Sequence, residues 1–306
     1  MNGTSKIPVW IDTDPSVLPG GHEVDDGLAL AQAFRSPLLD VIGVSSVFGN
    51  ADIDTCHASA TALVAAFGPA GMAVHRGAGT AGEVSATPAS AAIIAAARAC
   101  PPPGLSILAL GPITNIAAAL AQAPDIAGQI AEIIWVAGRM PGEEFRISPD
   151  QATPFPDLNF ESDVAGAHRL LGAHVPIRLA PWAGSSQIYF TASHLARLAQ
   201  ADAACRSLCG PVADWLALWR KNWAVDYFMP FDTLAVACAE KHESLGGFSG
   251  RAWVAAGTAG VVPVGPQLLV TADNAPAGAC DIWFCNRVAP GFVEALTDRL
   301  VGKIPV

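Results

Sequence analysis

The 306-residue chain is rich in apolar residues and poor in charge, with 52% hydrophobic and 14% charged residues. This balance excludes an intrinsically disordered chain, which combines low hydrophobicity with high net charge. Lys and Arg number 17 against 27 Asp and Glu, which gives a formal net charge of −10, and the basic residues form no cluster. Polyanions bind to concentrated positive charge, so we expect neither nucleic acid nor an anionic membrane surface as a partner.

The sequence indicates no targeting or membrane segment. Residues 1–14 lack the apolar core of a signal peptide. Later apolar stretches are broken by Gly, Pro and polar residues before they reach the roughly 20 residues that a spanning helix needs. The seven cysteines are odd in number and contain no C-x-x-C pair, which indicates neither a disulfide framework nor a zinc site. We therefore expect a cytoplasmic protein.

Short apolar runs alternate with helical patterns along the chain. The predicted strands cover residues 7–11, 39–47, 106–110, 133–137 and 175–179. The predicted helices cover residues 26–34, 54–67, 114–122 and 211–225, and a Pro-rich loop is predicted over 140–156. This rhythm predicts an α/β fold with an open, mostly parallel, doubly wound (Rossmann-like) sheet flanked by helices. We treat residues 1–306 as one domain, and ligands bind such sheets beyond the carboxyl ends of the strands.

The opening segment carries the strongest chemical signal. The first strand delivers Asp12 and Asp14, a Gly/Pro loop follows, and Asp25 and Asp26 begin the first helix. Four neighbouring carboxylates repel one another, and burying each unpaired ion costs several kcal/mol of folding free energy. A divalent cation offsets this repulsion, and an all-oxygen ligand set without His or Cys favours Ca²⁺ or Mg²⁺ over zinc. The alternative is that Asp25 only caps the helix and interacts with its dipole.

The acidic pattern belongs to a longer set of motifs. The segments D-T-D-P (12–15) and D-D-G-L-A-L (25–30) resemble the N-terminal signature of the inosine-uridine-preferring nucleoside hydrolases. Further similar segments follow in the family's order: V-F-G-N (47–50), L-G-P-I-T-N-I-A (110–117), P-F-P-D-L-N (154–159) and F-D-T-L-A (231–235). The resemblance implies hydrolysis of the N-glycosidic bond of a ribonucleoside, a bound Ca²⁺ with Mg²⁺ as the alternative, and a homodimer or homotetramer.

The same resemblance assigns roles to individual residues. The implied metal ligands are Asp14, Asp26, Asp232 and the carbonyl of Leu110, with Asp12 beside them. Asp25 is the implied general base, because it matches the residue that contacts the ribose and the attacking water. The residues that match positions holding the ribose hydroxyls are Asn50, Asp157 and Asn159. Asp157 departs from the family, which usually has Glu there, so its side chain is one methylene shorter.

A second departure concerns the leaving group. Phe231 stands where pyrimidine-handling relatives often have His, so that proton donor is missing. Some purine-specific relatives instead stack an aromatic residue on the base. Phe231 with Trp219, Trp223 or Tyr227 would build such a stack, which favours a purine or modified base over a pyrimidine. The alternative is that the tryptophans, spaced by four on one helix face, belong to the core.

The metal loop is longer than the family's. Nine residues, 16–24, separate Pro15 from Asp25, where the family usually has two. This insert contains His22 and Glu23. We hypothesise that one of them reaches the ligand and takes over part of the missing acid or recognition role. The alternative is a solvated lid without a chemical role.

Two other functions remain open at the level of sequence. The D-x-D-x-S pattern at 12–16 also resembles the opening of Mg²⁺-dependent phosphohydrolases that use an aspartyl nucleophile, although residues 25–26 and 110–115 are then unexplained. A non-catalytic riboside-binding protein is the third hypothesis, because the usual His and Glu are replaced by Phe231 and Asp157.

Overall fold

A computed structural model describes residues 6–17, 23–148, 150–257 and 265–303. The strands are β1 (Ile7–Thr13), β2 (Leu39–Ser46), β3 (Val74–Arg76), β4 (Leu105–Ala109), β5 (Ile130–Trp135), β6 (Ile177–Leu179), β7 (Phe190–Thr191), β8 (Tyr227–Phe228), β9 (Leu245–Ala255), β10 (Gln267–Thr271) and β11 (Cys280–Val288). The helices are α1 (Asp25–Phe34), α2 (Ile53–Phe67), α3 (Pro88–Ala99), α4 (Thr114–Gln122), α5 (Leu158–Ser162), α6 (Val164–Leu171), α7 (Trp182–Ser185), α8 (Ala192–Ala199), α9 (Ala203–Ser207), α10 (Cys209–Trp223), α11 (Thr233–Ala239) and α12 (Phe292–Leu300).

The main sheet has nine strands in the order β10-β9-β11-β6-β5-β4-β1-β2-β3. Seven neighbouring strands run parallel to one another: β11, β6, β5, β4, β1, β2 and β3. Strand β9 is antiparallel to both of its neighbours, β11 and β10. The chain runs outward from β1 to β2 and β3 and then returns to β4 on the other side of β1. This reversal places a crevice at the carboxyl end of β1, where open α/β sheets bind their ligands.

Helices cover both faces of the sheet, and β1 shows how the sequence produces this. Val9 and Ile11 belong to one buried apolar cluster, which includes residues of α1, α2, α11 and α12. Trp10 points the opposite way, into a second cluster with residues of α3, α4 and α6. Because neighbouring side chains of a strand face opposite sides, an apolar run such as 7–11 is suited to a sheet that is buried on both faces.

The predicted fold class is confirmed: the structure has a mostly parallel sheet flanked by helices. All five predicted strands and four predicted helices are present, with ends that differ by at most three residues. The helix predicted to reach residue 225 ends at Trp223, because Ala224 adopts the left-handed conformation with φ of 56°. No described helix combines the length and the apolarity that crossing a bilayer requires.

The packing of β1 against β2 gives a test of this arrangement. Gly43 pairs with Trp10, and a Cβ at Gly43 would lie 2.1 Å from the Trp10 ring. Trp10 is 3% exposed, and its indole N–H donates to Ser45 Oγ at 2.8 Å. We expect Gly43→Ala to lower the free energy of unfolding by about 1–3 kcal/mol, as overpacking of a core does. Urea denaturation measures the change.

Gly128→Ala is the matched control, because nothing lies within 4 Å of the Cβ position at Gly128. An unfolding midpoint for Gly43→Ala equal to that of Gly128→Ala would contradict the packing described for Trp10.

Candidate active site

Six buried carboxyl groups converge at the carboxyl end of β1, and we call them the acidic cluster: Asp12, Asp14, Glu23, Asp25, Asp26 and Asp232. Each is at most 8% exposed. They come from β1, from the loop before α1, from the first turn of α1 and from the residue before α11. The positive end of the α1 dipole faces this cluster, which favours negative charge there.

Asp14 and Asp26 are joined by a small network of hydrogen bonds. The Thr13 hydroxyl donates to Asp26 Oδ1, and the Asp14 N–H donates to the same oxygen at 3.3 Å. Asn50 donates its backbone N–H to Asp14 Oδ2 at 2.8 Å and its side-chain Nδ2 to Asp26 Oδ2 at 3.2 Å. The loop after β2 therefore fixes the position of both carboxylates.

Glu23 holds the start of α1 against the end of β1. Its Oε1 accepts the Ser16 N–H at 2.5 Å, and its Oε2 accepts the Asp26 N–H at 3.2 Å. One oxygen each from Glu23, Asp25 and Asp26 lie within 4.8 Å of one another. The predicted insert thus delivers Glu23 to the site, whereas His22 lies outside the described residues.

The cluster shifts its own ionisation. Burial raises the pKa of Asp12 and of Asp26 to about 7. Burial, followed by the negative charge of Asp26, holds the pKa of Asp14 and of Asp232 well above the ordinary range. The same causes raise the pKa of Glu23. Six acids in this space therefore resist full ionisation unless positive charge joins them.

The donor set fits a hard divalent cation. Asp14 Oδ1 and Asp12 Oδ2 are buried and have no hydrogen-bond partner among the described residues. The cluster contains only oxygen ligands, which suit Ca²⁺ or Mg²⁺. Among the implied ligands, Asp14 and Asp232 lie close enough to Asp26 for its charge to raise their pKa. The three carboxyl groups whose oxygens lie within 4.8 Å of one another are those of Glu23, Asp25 and Asp26.

A cavity opens beside the acidic cluster, with an empty volume of about 1040 Å³ that includes its open mouth. The part of its lining that we call the polar end consists of Glu23, Asp25, Asn50, Leu110, Asp157, Asn159 and Asp232. The lining also contains seven rings that we call the aromatic wall: Phe145, Phe155, Trp182, Trp215, Trp219, Trp223 and Phe231. A cavity that is mostly apolar with a few convergent polar groups is typical of a small-molecule site.

The residues matched to ribose binding lie at the polar end but have partners there. Asp157 is 5% exposed, and its Oδ2 accepts the Gly138 N–H at 2.7 Å. Burial raises the pKa of Asp157 to about 6. Asn159 Nδ2 donates to the carbonyl oxygens of Leu110, at 2.6 Å, and of Val136, at 3.0 Å. The Leu110 carbonyl, an implied metal ligand, therefore accepts a hydrogen bond from Asn159 in this structure.

The aromatic wall is an ordered set of ring contacts around Trp182. The Trp182 ring stacks with Phe145 at a centroid distance of 5.0 Å and an angle of 7°, and with Phe231 at 5.3 Å and 26°. Phe155 meets the edge of Trp223 at 5.2 Å. Sequence reasoning missed Trp182, Phe145 and Phe155. The available signal was position, since Trp182 follows β6 within three residues and the two phenylalanines lie in the 140–156 loop.

The predicted aromatic residues divide into two groups. Trp219, Trp223 and Phe231 line the cavity. Trp219 is also 2% exposed and packs in the core, so it contributes both to the core and to the cavity lining. Its buried Nε1 has no hydrogen-bond partner among the described residues. Tyr227 does not line the cavity, and its ring packs against Tyr189 at 4.4 Å.

Asn115 supports the acidic cluster and was not singled out from the sequence. Its Nδ2 donates to Asp12 Oδ1 at 2.8 Å and to the Ser46 carbonyl at 3.0 Å. Its Oδ1 accepts the Ala78 N–H at 2.8 Å. Ser45 Oγ donates to the same Asp12 oxygen at 2.5 Å. One amide thus joins β1, β2 and the loop after β3, and the signal was its place in the 110–117 motif.

Comparison with known families decides the class. The family model described as inosine-uridine preferring nucleoside hydrolase matches residues 9–274. The chain belongs to this family. It is an N-ribosyl hydrolase, a class that acts on ribonucleosides, and this membership favours that reaction over the phosphohydrolase alternative.

Individual relatives agree with this membership. A protein of Oryza sativa named as a probable uridine nucleosidase is 28% identical over 60% of this chain and 58% of its own length. A Shigella dysenteriae protein named as a non-specific ribonucleoside hydrolase is 29% identical over 47% of this chain and 55% of its own length. The match thus spans little more than half the length of these two relatives.

The fold is shared with solved nucleoside hydrolases. A plant nucleoside hydrolase superposes with a TM-score of 0.81 at 22% sequence identity, covering 97% of this chain and 99% of that one. The whole described sheet therefore follows the architecture of that enzyme.

The Asn115 network gives a test of how the cluster is held. We expect Asn115→Ala to lower the free energy of unfolding by about 1–3 kcal/mol, because it removes the acceptor of the Ala78 N–H and one donor each from Asp12 and from the Ser46 carbonyl. Urea denaturation provides the measurement. Asn222→Ala, on an exposed position of α10, is the matched control. Equal stability of the two variants would show that Asn115 does not hold the cluster.

Proposed function

We propose that the chain hydrolyses the N-glycosidic bond of a ribonucleoside in a Ca²⁺-dependent reaction, with a purine or modified base favoured over a pyrimidine, and releases ribose and the base. The observation that carries this proposal is a single cavity whose lining combines carboxyl and amide groups with seven aromatic rings. The polar end suits a sugar with several hydroxyls, and the aromatic wall suits a flat heterocycle.

The cation would be held by Asp14, Asp26, Asp232 and the carbonyl of Leu110. Asp12 would lie beside these ligands and help to position them, since its Oδ1 accepts hydrogen bonds from Ser45 and Asn115. When bound, Ca²⁺ would lower the pKa of the attacking water and orient it. Support comes from the buried, unpartnered Asp14 Oδ1 and from the raised pKa of the neighbouring carboxyl groups, which positive charge would reverse.

Asp25 would act as the general base. It lies at the cavity surface. Burial raises the pKa of its carboxyl group, and hydrogen bonds from Glu23 and from the backbone N–H groups of Phe231 and Asp232 oppose this shift. In its charged form it accepts the proton that the water loses as the C1′–N bond breaks. The surrounding carboxylates stabilise the positive charge that develops on the ribose.

Asn50, Asp157 and Asn159 would bind the ribose hydroxyls. All three line the polar end of the cavity. A substrate without the 2′-hydroxyl leaves one of these polar groups without its sugar partner, so a ribonucleoside is selected over a deoxyribonucleoside. Because Asp157 is shorter than Glu, its free oxygen reaches the sugar only if the ribose sits closer to Gly138 than a Glu would require.

The leaving group would be bound by the aromatic wall. Phe231 stacks on Trp182, and Trp219 and Trp223 lie on the same side of the cavity. Tyr227 would support the wall without contacting the base, since its ring centroid lies 6.3 Å from that of Trp219. A larger aromatic base gains more contact area from this wall than a pyrimidine does, which supports the purine or modified-base preference.

The metal assignment is tested by Asp14→Asn and Asp232→Asn. We expect each variant to lose Ca²⁺ binding and to lose ribose release by at least about 100-fold, because each removes one charged ligand. Calorimetric titration with CaCl₂ and a reducing-sugar assay with inosine measure the two effects, with EDTA-treated enzyme as the metal-free reference.

Asp214→Asn, at an exposed position of α10, controls for the loss of one negative charge. Full Ca²⁺ binding in both ligand variants would overturn the metal assignment. Ribose release that is unchanged by EDTA would overturn the metal dependence.

The role of the insert is tested by Glu23→Gln and His22→Ala. Glutamine keeps an oxygen to accept the Ser16 or Asp26 N–H but carries no acidic proton. If Glu23 supplies the missing acid, kcat on inosine falls by about 100-fold or more while KM changes little. Glu243→Gln, on the exposed side of the molecule, is the control. Unchanged kcat/KM in both insert variants would show that neither residue takes part.

A further inference from the structure

We infer that the preferred leaving group carries a fixed positive charge, as the ring of an N-alkylated purine or a pyridinium does. This inference rests on the proposed function and names its substrate class. Three observations support it: rings of the aromatic wall are partly exposed in the cavity, the titratable groups of the lining are all acidic, and the described lining contains no basic side chain.

Three rings of the aromatic wall keep accessible surface in the cavity. Trp182, Phe231 and Trp223 are only partly buried, and all three line the cavity. Trp182 and Phe231 stack at 5.3 Å, and the ring planes of Trp223 and Phe155 cross at 63°. The face of an aromatic ring is the negative part of its quadrupole, and several rings around one site are the usual way in which proteins bind quaternary nitrogen.

The titratable groups that line the cavity all have the same sign. They are Glu23, Asp25, Asp157 and Asp232, and no Lys, Arg or His is present in the described part of the lining. With Asp232 holding the metal in the proposed function, the lining still offers a ligand the other carboxyl groups and the aromatic rings but no basic side chain, and this combination favours a cationic ligand. A neutral base gains only the stacking part of this environment.

The protein already places one cation against the aromatic wall. Arg139 is fully buried, its guanidinium carbon lies 4.0 Å from the centroid of the Phe145 ring, and it pairs with Glu161 at 3.4 Å. Arg139 does not line the cavity. This guanidinium would repel a ligand cation at the Phe145 end, so the ligand's charge belongs near Trp182, Trp223 and Phe231.

The chemistry of departure also favours a cationic ring. In the reaction the water oxygen bonds to C1′, the C1′–N bond breaks, and its electron pair passes to the ring nitrogen. A cationic ring becomes neutral by accepting that pair and needs no proton, whereas a neutral base leaves as an anion unless an acid protonates it. The water's second proton passes to Asp25 and then to solvent, so the products are ribose, the neutral base and one proton. The aromatic wall contains no acidic side chain.

Binding, rather than turnover, decides between a cationic and a neutral ligand, because cationic ribosides are also intrinsically more reactive. The probes are 1-methyl-3-carbamoylpyridinium and its neutral isostere 3-methylbenzamide, titrated separately into the full chain in CaCl₂ buffer by calorimetry. We expect the cation to bind at least about tenfold more tightly, as a desolvated cation–π site requires. Equal dissociation constants would overturn the inference.

Variants of the wall separate π attraction from general attraction to the carboxylates. Trp182→Leu and Trp223→Leu keep apolar bulk but remove the ring, and we expect the cation preference to fall to about twofold or less. The matched variants Trp182→Phe and Trp223→Phe keep a ring and should keep most of the preference. A preference that survives in both leucine variants would assign it to the carboxylates and overturn the role of the wall.

Turnover on the same preparation distinguishes this inference from the proposed function. Ribose release is measured with inosine and with 7-methylinosine. Hydrolysis of inosine together with equal probe affinities overturns only the cationic preference. If neither riboside nor any other tested riboside is hydrolysed, the proposed function fails, and the ratio of probe affinities still decides whether the cavity selects a cation.

Discussion

The repulsion among buried carboxyl groups is the constraint on which the rest of the site depends. Six acids share the carboxyl end of β1. Burial raises the pKa of Asp12 to about 7, and burial together with the charge of Asp25 raises that of Asp26 to about 7. The fold offsets this repulsion with neutral donors: Ser45 and Asn115 on Asp12, and Thr13 and Asn50 on Asp26. These donors come from four different segments, so the same cluster that would bind a ligand also holds the segments together.

Much of the acidic end could be predicted from the sequence because its residues are close together in the chain or follow strands directly. Asp12 and Asp14 follow each other at the end of β1, Asp25 and Asp26 begin α1, and the parallel strands are formed by short, mostly apolar runs. A buried parallel strand needs such a run, so its position can be read without knowledge of its neighbours. The family resemblance then added Asp232, whose partners lie some 200 residues away and leave no local pattern.

The aromatic end and the last three strands could not be predicted in the same way. Trp182 lies in α7, whereas Phe145 and Phe155 lie in the 140–156 loop, and only the folded chain brings these rings together. Strand β9 contains three glycines in its first six residues, which hide the alternation of a half-buried strand. Its antiparallel pairing with β10 and β11 depends on long-range contacts that no local preference encodes.

The two ends of the cavity are built on different kinds of structure, and this difference has a functional consequence. The acidic end is fixed by strand ends and helix starts, where a shift of one residue would disturb the sheet. Six rings of the aromatic wall stand on the 140–156 loop, on α7 and on α10, which carry few of the strand pairings. Rings on such segments can change identity without moving the carboxylates. Phe231 is different, because it directly precedes Asp232 and its backbone hydrogen-bonds to Asp25, so a substitution at this position changes the wall while the backbone contact to the acidic end is kept.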